Sequence, residues 1–189
     1  MEVRAARIED IEQIVTLQES CHVGNLDLSE QSDGFLNTVI DADLLAQAIE
    51  QEQAIFVAEL DQRIIAMAAC ASWQFWQCST ALTNVAKRLD ATLSENIAVN
   101  STNSYFWGPV CVDKTSRGQG VFEQLFNFSC AAKSSRFRYV YTYVHEDNAR
   151  SFAAHTKKVG FRYTKDFELN AQIFREMTRE TRPSDSTVS

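Results

Sequence analysis

Where a short β-branched run gives way to a helical pattern, the chain reads Arg117-Gly118-Gln119-Gly120-Val121-Phe122, two glycines and a cation at a strand-to-helix junction. A helix start carries unpaired backbone N–H groups and the positive end of the helix dipole, which is chemistry for holding an anion. The glycines let the backbone come close and Arg117 can add a charge-assisted contact, so a phosphate is the implied guest. Neither G-x-x-x-x-G-K-[ST] nor G-x-G-x-x-G occurs, which disfavours the common mononucleotide and dinucleotide cradles. A glycine-rich turn can also be plain chain reversal, so its neighbours must decide.

The surrounding pattern predicts a strand over 2–6, a helix over 8–19 with Ile11, Ile14, Val15 and Leu17 on one stripe, and a second helix over 43–50. Two strands, 54–60 and 63–73, read as a hairpin turning at Asp61-Gln62. An amphipathic helix over 79–93 and the polar stretch SENIAVNSTNS come next and are placed outside the main sheet. The strand 105–112 is interrupted by Gly108-Pro109; proline cannot donate to a ladder, so a bulge or a splay is expected there. Helix 120–133, strand 137–145, helix 148–159 closing at Gly160, and strands 161–169 and 171–177 complete the order. That order predicts an α/β (α+β) fold, a sheet with both strand directions flanked by helices, in one domain over 1–179. Residues 180–189, with Pro183, Ser184 and Thr187, are expected to form a disordered tail.

Composition narrows the function. A net charge of −7 disfavours a nucleic-acid surface, which needs clustered Lys and Arg. No run of eighteen apolar residues occurs and the N-terminus MEVRAARIEDIEQ is too charged for a signal peptide, so no membrane insertion is expected and the cytoplasm is the expected location. The five cysteines Cys21, Cys70, Cys78, Cys111 and Cys130 are scattered, with no C-x-x-C, which points to reduced thiols and to no bound metal.

Downstream, strand 137–145 leads into Asn148-Ala149-Arg150-Ser151, then His155, Lys157 and Gly160-Phe161. Together with R-G-Q-G this resembles the GNAT family of N-acetyltransferases. The opening VRAARIEDIEQIVTLQ and the hairpin IFVAELDQRIIAMAACASW are similar to that family's first strand and helix and its central hairpin; Gly34-Phe35-Leu36 is similar to a segment some members carry upstream of the hairpin. The resemblance implies a mixed, mostly antiparallel sheet splayed near Gly108-Pro109 and acetyl-CoA as co-substrate. It implies that Val110, Cys111 and Val112 offer backbone groups to the pantetheine arm and that Arg117, Gly118, Gln119, Gly120, Val121 and Phe122 wrap the pyrophosphate. Phe122 is expected to turn its ring aside while its amide faces the phosphate. Asn148 and Ser151 would lie near the cysteamine end, although Asn148 also suits a helix N-cap.

The implied reaction is direct attack of a primary amine on the acetyl group. Many members carry a tyrosine where this chain has His155, so His155 is either a general acid or a packing residue. The base is unassigned: Tyr105-Phe106-Trp107-Gly108 has no carboxylate where several members have one, and His145, Glu146, a relayed water or an amine arriving neutral all remain open. Cys111 as an acyl-carrying nucleophile lacks a histidine at a suitable spacing. The aromatic residues Trp73, Phe75, Trp76, Phe106 and Trp107 can be core or can wall an acceptor pocket. Two functions follow: an N-acetyltransferase acting on a small-molecule or protein amine, or a module of the same fold that binds CoA or a protein partner without catalysis. Dimerisation is common in that family, so a homodimer is among the partners the resemblance allows, and the sequence shows no interface.

Overall fold

A computed structural model describes residues 1–31, 34–94 and 96–182. In chain order its elements are β1 (Glu2–Ala5), α1 (Ile11–Cys21), α2 (Leu28–Gln31), α3 (Ala42–Glu52), β2 (Ile55–Leu60), β3 (Arg63–Ala69), α4 (Thr80–Ala86), β4 (Leu93–Ser94) and β5 (Ile97–Ala98). They continue with β6 (Ser104–Phe106), β7 (Val110–Val112), α5 (Val121–Lys133), β8 (Tyr139–His145), α6 (Ala149–Ala153), β9 (Arg162–Leu169) and β10 (Gln172–Glu180). Two four-stranded sheets, β1-β2-β3-β7 and β6-β8-β10-β9, form the centre, antiparallel except for the β6–β8 pair. Among the described residues no helix is long and apolar enough to cross a membrane.

The first sheet is covered on both faces, which explains the nearly continuous apolar runs of β2 and β3. Ile55 and Val57 face one core with Ile14 and Leu17 of α1, whereas Phe56 and Ala58 face another with Leu125 and Phe126 of α5. The expected hairpin turn is present, with Asp61 and Gln62 both at positive φ, 50° and 65°. Arg4 of β1 holds this corner together: it pairs with Asp10 before α1 at 2.7 Å and with Glu59 of β2 at 2.6 Å.

The expected interruption at Gly108-Pro109 is a transfer between sheets. Trp107 N–H donates to Tyr141 O of β8 at 2.9 Å, and the next amide, Gly108 N–H, donates to Ala69 O of β3 at 2.8 Å. Thus β6 belongs to one sheet and β7 to the other, and the strands diverge into a V.

Two expectations are corrected. The helix expected over 79–93 ends at Ala86, and a short hairpin, β4–β5, follows after a 3₁₀ turn at Leu89–Ala91. The reason is tertiary: Thr92 is buried and donates to the buried carboxylate of Glu176 at 2.8 Å, which also accepts from Tyr141 Oη at 2.7 Å and Thr164 Oγ1 at 2.5 Å. The tail does not begin at 180. Glu180 ends β10, and Thr181 is buried with its hydroxyl donating to Phe137 O at 2.7 Å; residues 183–189 lie outside the described residues.

The Arg4 cluster makes a stability prediction. The guanidinium of Arg4 holds the Asp10 carboxyl below its ordinary range, so this stabilisation is complete above the unfolded value near about 4 and is lost as pH falls through the lowered native value. Asp10→Asn should lower unfolding free energy by about 2 kcal/mol at neutral pH in urea titrations, a difference that shrinks below about pH 3.

Candidate active site

Divergence of β7 from β8 opens the molecule on one side, and two adjoining cavities fill the opening. The first, of about 300 Å³, is lined by Val110, Cys111 and Val112 of β7, the 116–123 turn, Cys21, and Arg150 to Lys158 along α6 and the turn after it. The second, of about 380 Å³, runs from Trp107–Val110 across β8 residues 142–145 to Trp76, Leu44 and Phe174. Phe35, Leu36, Val110 and Ser151 line both and therefore mark their junction.

β7 is the outer strand of its sheet. Pro109 O and Asp113 N–H bond to Ala69 and Ile65 of β3. By the alternation of an antiparallel strand, Val110 and Val112 turn backbone groups to the open edge, whereas those of Cys111 are taken up by β3 as well. Val112 O already accepts from Arg117 Nε at 3.0 Å.

At the end of that edge, Gly118 and Gly120 have φ of 78° and 76°, left-handed values that let the chain fold back into α5 with Gly120 as its N-cap. A Cβ on Gly118 would meet no atom within 4 Å, so the space above the turn is open. The first N–H groups of α5, from Val121 to Glu123, precede any intrahelical carbonyl and line this space. Gln119 does not line the cavity: its side chain is exposed and donates to Thr115 O at 3.0 Å. Among the described residues around the cavity stand Arg117, Arg150, Lys157 and Lys158 against one acid, Glu123, which pairs with Lys158 at 3.1 Å. A chain with net charge −7 thus concentrates cations at one helix start.

Sequence reasoning missed Cys21. Its Sγ lies 3.9 Å from Arg117 Nη2, and its pKa is lowered to about 6, chiefly by a hydrogen bond from Cys111 and with help from the Arg117 guanidinium; the Cys111 thiol is correspondingly raised. Arg150, Lys157 and Lys158 were likewise not singled out for the cavity, although their spacing of seven and eight residues along one helical stretch is the signal that could have done so.

Asn148 is spent on structure. It caps α6 by accepting from Ser151 N–H at 3.1 Å and donates to Phe35 O at 2.9 Å, so it fixes the wall at the junction. The segment beyond Phe35 is held by buried Gln18, which donates to Ile40 O and accepts from Ile40 N–H, both at 3.0 Å. Phe122 turns its ring against Trp107 and His155, with centroids 5.4 and 5.2 Å apart. Among the aromatic residues Trp73 is core, its indole N–H bonded to Ser104 Oγ, whereas Trp76, Phe106 and Trp107 wall the second cavity.

His155 lies in a π-helical turn, Ala154–Lys158, buried among Trp107, Phe122 and Phe161. Nδ1 is 2.7 Å from Ser151 O, which assigns the proton to Nδ1, and Nε2 has no hydrogen-bond partner. Burial pulls its pKa down to about 4, so the ring is neutral at pH 7 and its one N–H is committed to the backbone. In this state the ring packs against its aromatic neighbours and holds the turn through Ser151 O. Glu146 is exposed and lies outside both cavities; His145 lines the second.

Residues 11–161 match the model of the Acetyltransferase (GNAT) family. No curated protein matches the chain. Among solved structures, one described as an acetyltransferase is 20% identical, with a TM-score of 0.63, over 96% of this chain and 100% of that one. The ribosomal-protein-alanine N-acetyltransferase of Brucella melitensis is 14% identical with a TM-score of 0.63, over 95% of this chain and 99% of that one. The yncA protein of Salmonella typhimurium, solved with its cofactor acetyl-CoA, is 13% identical with a TM-score of 0.63, over 98% and 96%. At these identities the likeness to solved structures is one of fold.

The state of His155 predicts a second pH dependence. The unfolded chain binds a proton at His155 below about 6.5 while the folded chain does not until about 4, so stability falls with acidification across that window, by roughly 3 kcal/mol at its lower end. His155→Phe, which keeps a ring in the aromatic cage, should flatten the fall in urea midpoint between about pH 7 and about pH 4.

Proposed function

Because the chain belongs to the GNAT acetyltransferase family, we propose that it transfers an acetyl group from acetyl-CoA to the amine of an acceptor held in the second cavity. The observation that carries this reading is the continuity of the site: an anion seat at the start of α5, an open strand edge at Val110 and Val112, and an acceptor cavity joined to both at Val110 and Ser151.

The groove suits that cofactor. The α5 N–H groups with Arg117, Lys157 and Lys158 would hold its phosphates, the open turn at Gly118 leaves room for them, and Val110 and Val112 would pair with the amides of the extended arm as a strand would. Bound there, acetyl-CoA supplies the activated acetyl group. Val110 lines both cavities, and its edge-facing N–H would donate to the carbonyl oxygen and stabilise charge developing on it. Ser151 lines the same junction and holds His155 through its carbonyl, so α6 shapes the passage between the cavities. The walls of Phe35, Leu36 and Trp107 exclude water from the reacting atoms.

Calorimetry and a thiol-release assay test the proposal. CoA should bind at micromolar to submicromolar concentration, and Arg117→Ala should weaken binding by roughly tenfold, with a smaller loss at high salt, where the charge is screened. Absence of binding up to millimolar CoA would overturn the reading, and binding without thiol release across a broad amine panel would favour a binding module.

A further inference from the structure

The second cavity differs from the first in its charge. Among the described residues that line it there is no aspartate, glutamate, lysine or arginine, in a chain where these make up 23% of residues. Its mouth carries neutral amides and hydroxyls such as Asn37, Thr38, Asn170 and Gln172. Its depth is aromatic: Phe106 and Tyr143 stack at 5.3 Å, Phe174 meets Tyr143 edge-on at 5.2 Å, and Trp76 meets Phe106 edge-on at 6.2 Å.

Proton acceptors are equally scarce. From β8 the groups facing the cavity are Tyr143, whose phenol burial pushes up to about 12, and His145. His145 Nδ1 accepts from Asp147 N–H at 3.2 Å, so the neutral ring presents Nε2–H, a donor. From the π-helical turn after α6 comes His155, neutral, with its N–H committed to Ser151 O and its unpartnered Nε2 made a weak base by burial, which pulls its pKa down to about 4. The 35–40 segment, α3, α4 and β10 contribute no ionisable group to the lining. Asp147, whose carboxylate lies 3.7 Å from His145 Nδ1, is exposed and does not line the cavity.

An ammonium entering such a cavity would shed water without gaining a counter-charge, and among the described lining residues the free His155 nitrogen, with a pKa of about 4, is too weak a base to take a proton from an alkylammonium. We infer that the acceptor is a weakly basic amine on a flat aromatic body, already neutral near pH 7 when it enters, as arylamines are. This rests on the acetyltransferase reading above. The transfer then needs no enzyme base before attack: the nitrogen lone pair forms the new C–N bond, the C–S bond breaks, and the proton lost from nitrogen passes to the departing thiolate or to water.

The test uses the full chain with saturating acetyl-CoA and three probes: aniline, phenylethylamine and spermidine. Aniline should exceed spermidine in kcat/KM by roughly a hundredfold. The pH profiles carry the inference further. Aniline should give a flat kcat/KM between about pH 6 and about pH 9, whereas phenylethylamine should rise about tenfold per pH unit, following its own neutral fraction. Gln172→Glu, which places a carboxylate at the mouth without changing size, should raise kcat/KM for spermidine by roughly tenfold relative to aniline. Preference for spermidine by the unaltered chain, or an acid limb near neutrality with aniline, would overturn the acceptor assignment while leaving the acetyltransferase reading intact. Thiol release with none of the three, despite CoA binding by calorimetry, would overturn the acceptor assignment, and only its absence across the broad amine panel would overturn the acetyltransferase reading as well.

Discussion

Everything in the site depends on two successive amides that are committed to different sheets. Trp107 N–H belongs to β8 and Gly108 N–H to β3, and Pro109 follows with no N–H to spend. Once these bonds are made, β7 cannot continue beside β8, and an edge of backbone groups is left facing a gap that the protein does not fill with a strand. Trp107 makes the divergence rigid. Its indole N–H donates to Ser129 Oγ of α5 at 3.1 Å, and its ring packs against Phe122, Phe126, His155 and Phe161. One residue at the apex therefore contacts the helix that carries the anion seat and the helical stretch that lines the passage.

The two cavities that result have opposite electrostatics, and each is consistent with its own guest. Charge is tolerated at the first because the anion expected there meets several cations and a helix dipole that costs no reorganisation. The Cys21 thiol beside it is drawn towards its anionic form, chiefly by the hydrogen bond from Cys111 and secondarily by the Arg117 guanidinium. The second has no such compensation, and its aromatic walls would make an unpaired charge expensive. The division follows the chain: cations come from the 117 turn and from α6 with the turn after it, while the aromatic walls come from β6, β8, β10 and Trp76.

How legible this was in the sequence varied with the range of the forces involved. The turn at 117–122 was readable because glycines at a helix start answer a local backbone need, and the break at Gly108-Pro109 because proline excludes a ladder bond. Where the Gln119 side chain goes was not legible, because its hydrogen bond to Thr115 O is a contact that spacing cannot show. Helical spacing of Leu82, Val85, Ala86 and Leu89 overextended α4, since the contact that ends the pattern, Thr92 to Glu176, spans eighty-four residues. Cys21 carried no signal at all, being ninety-six residues from Arg117 in the chain and 3.9 Å from it in space.

The scarcity of acid and base groups bears on how much catalysis the fold must supply by other means. A positioned general base is worth about 10² to 10⁴ in rate, and a neutral amine forgoes little of that because its lone pair is already available. Holding two reactants in alignment contributes far more, up to about 7–11 kcal/mol of the barrier, and here it asks for rigid walls and a fixed edge, which Gln18, Asn148 and Trp107 provide by buried hydrogen bonds. His155 fits the same economy of roles. With one nitrogen bonded to Ser151 O and the ring caged by three aromatic neighbours, it braces the turn between α6 and Gly160. Its neutrality, unsuited to delivering a proton, spares the aromatic walls an unpaired buried charge and leaves only the smaller desolvation cost of Nε2.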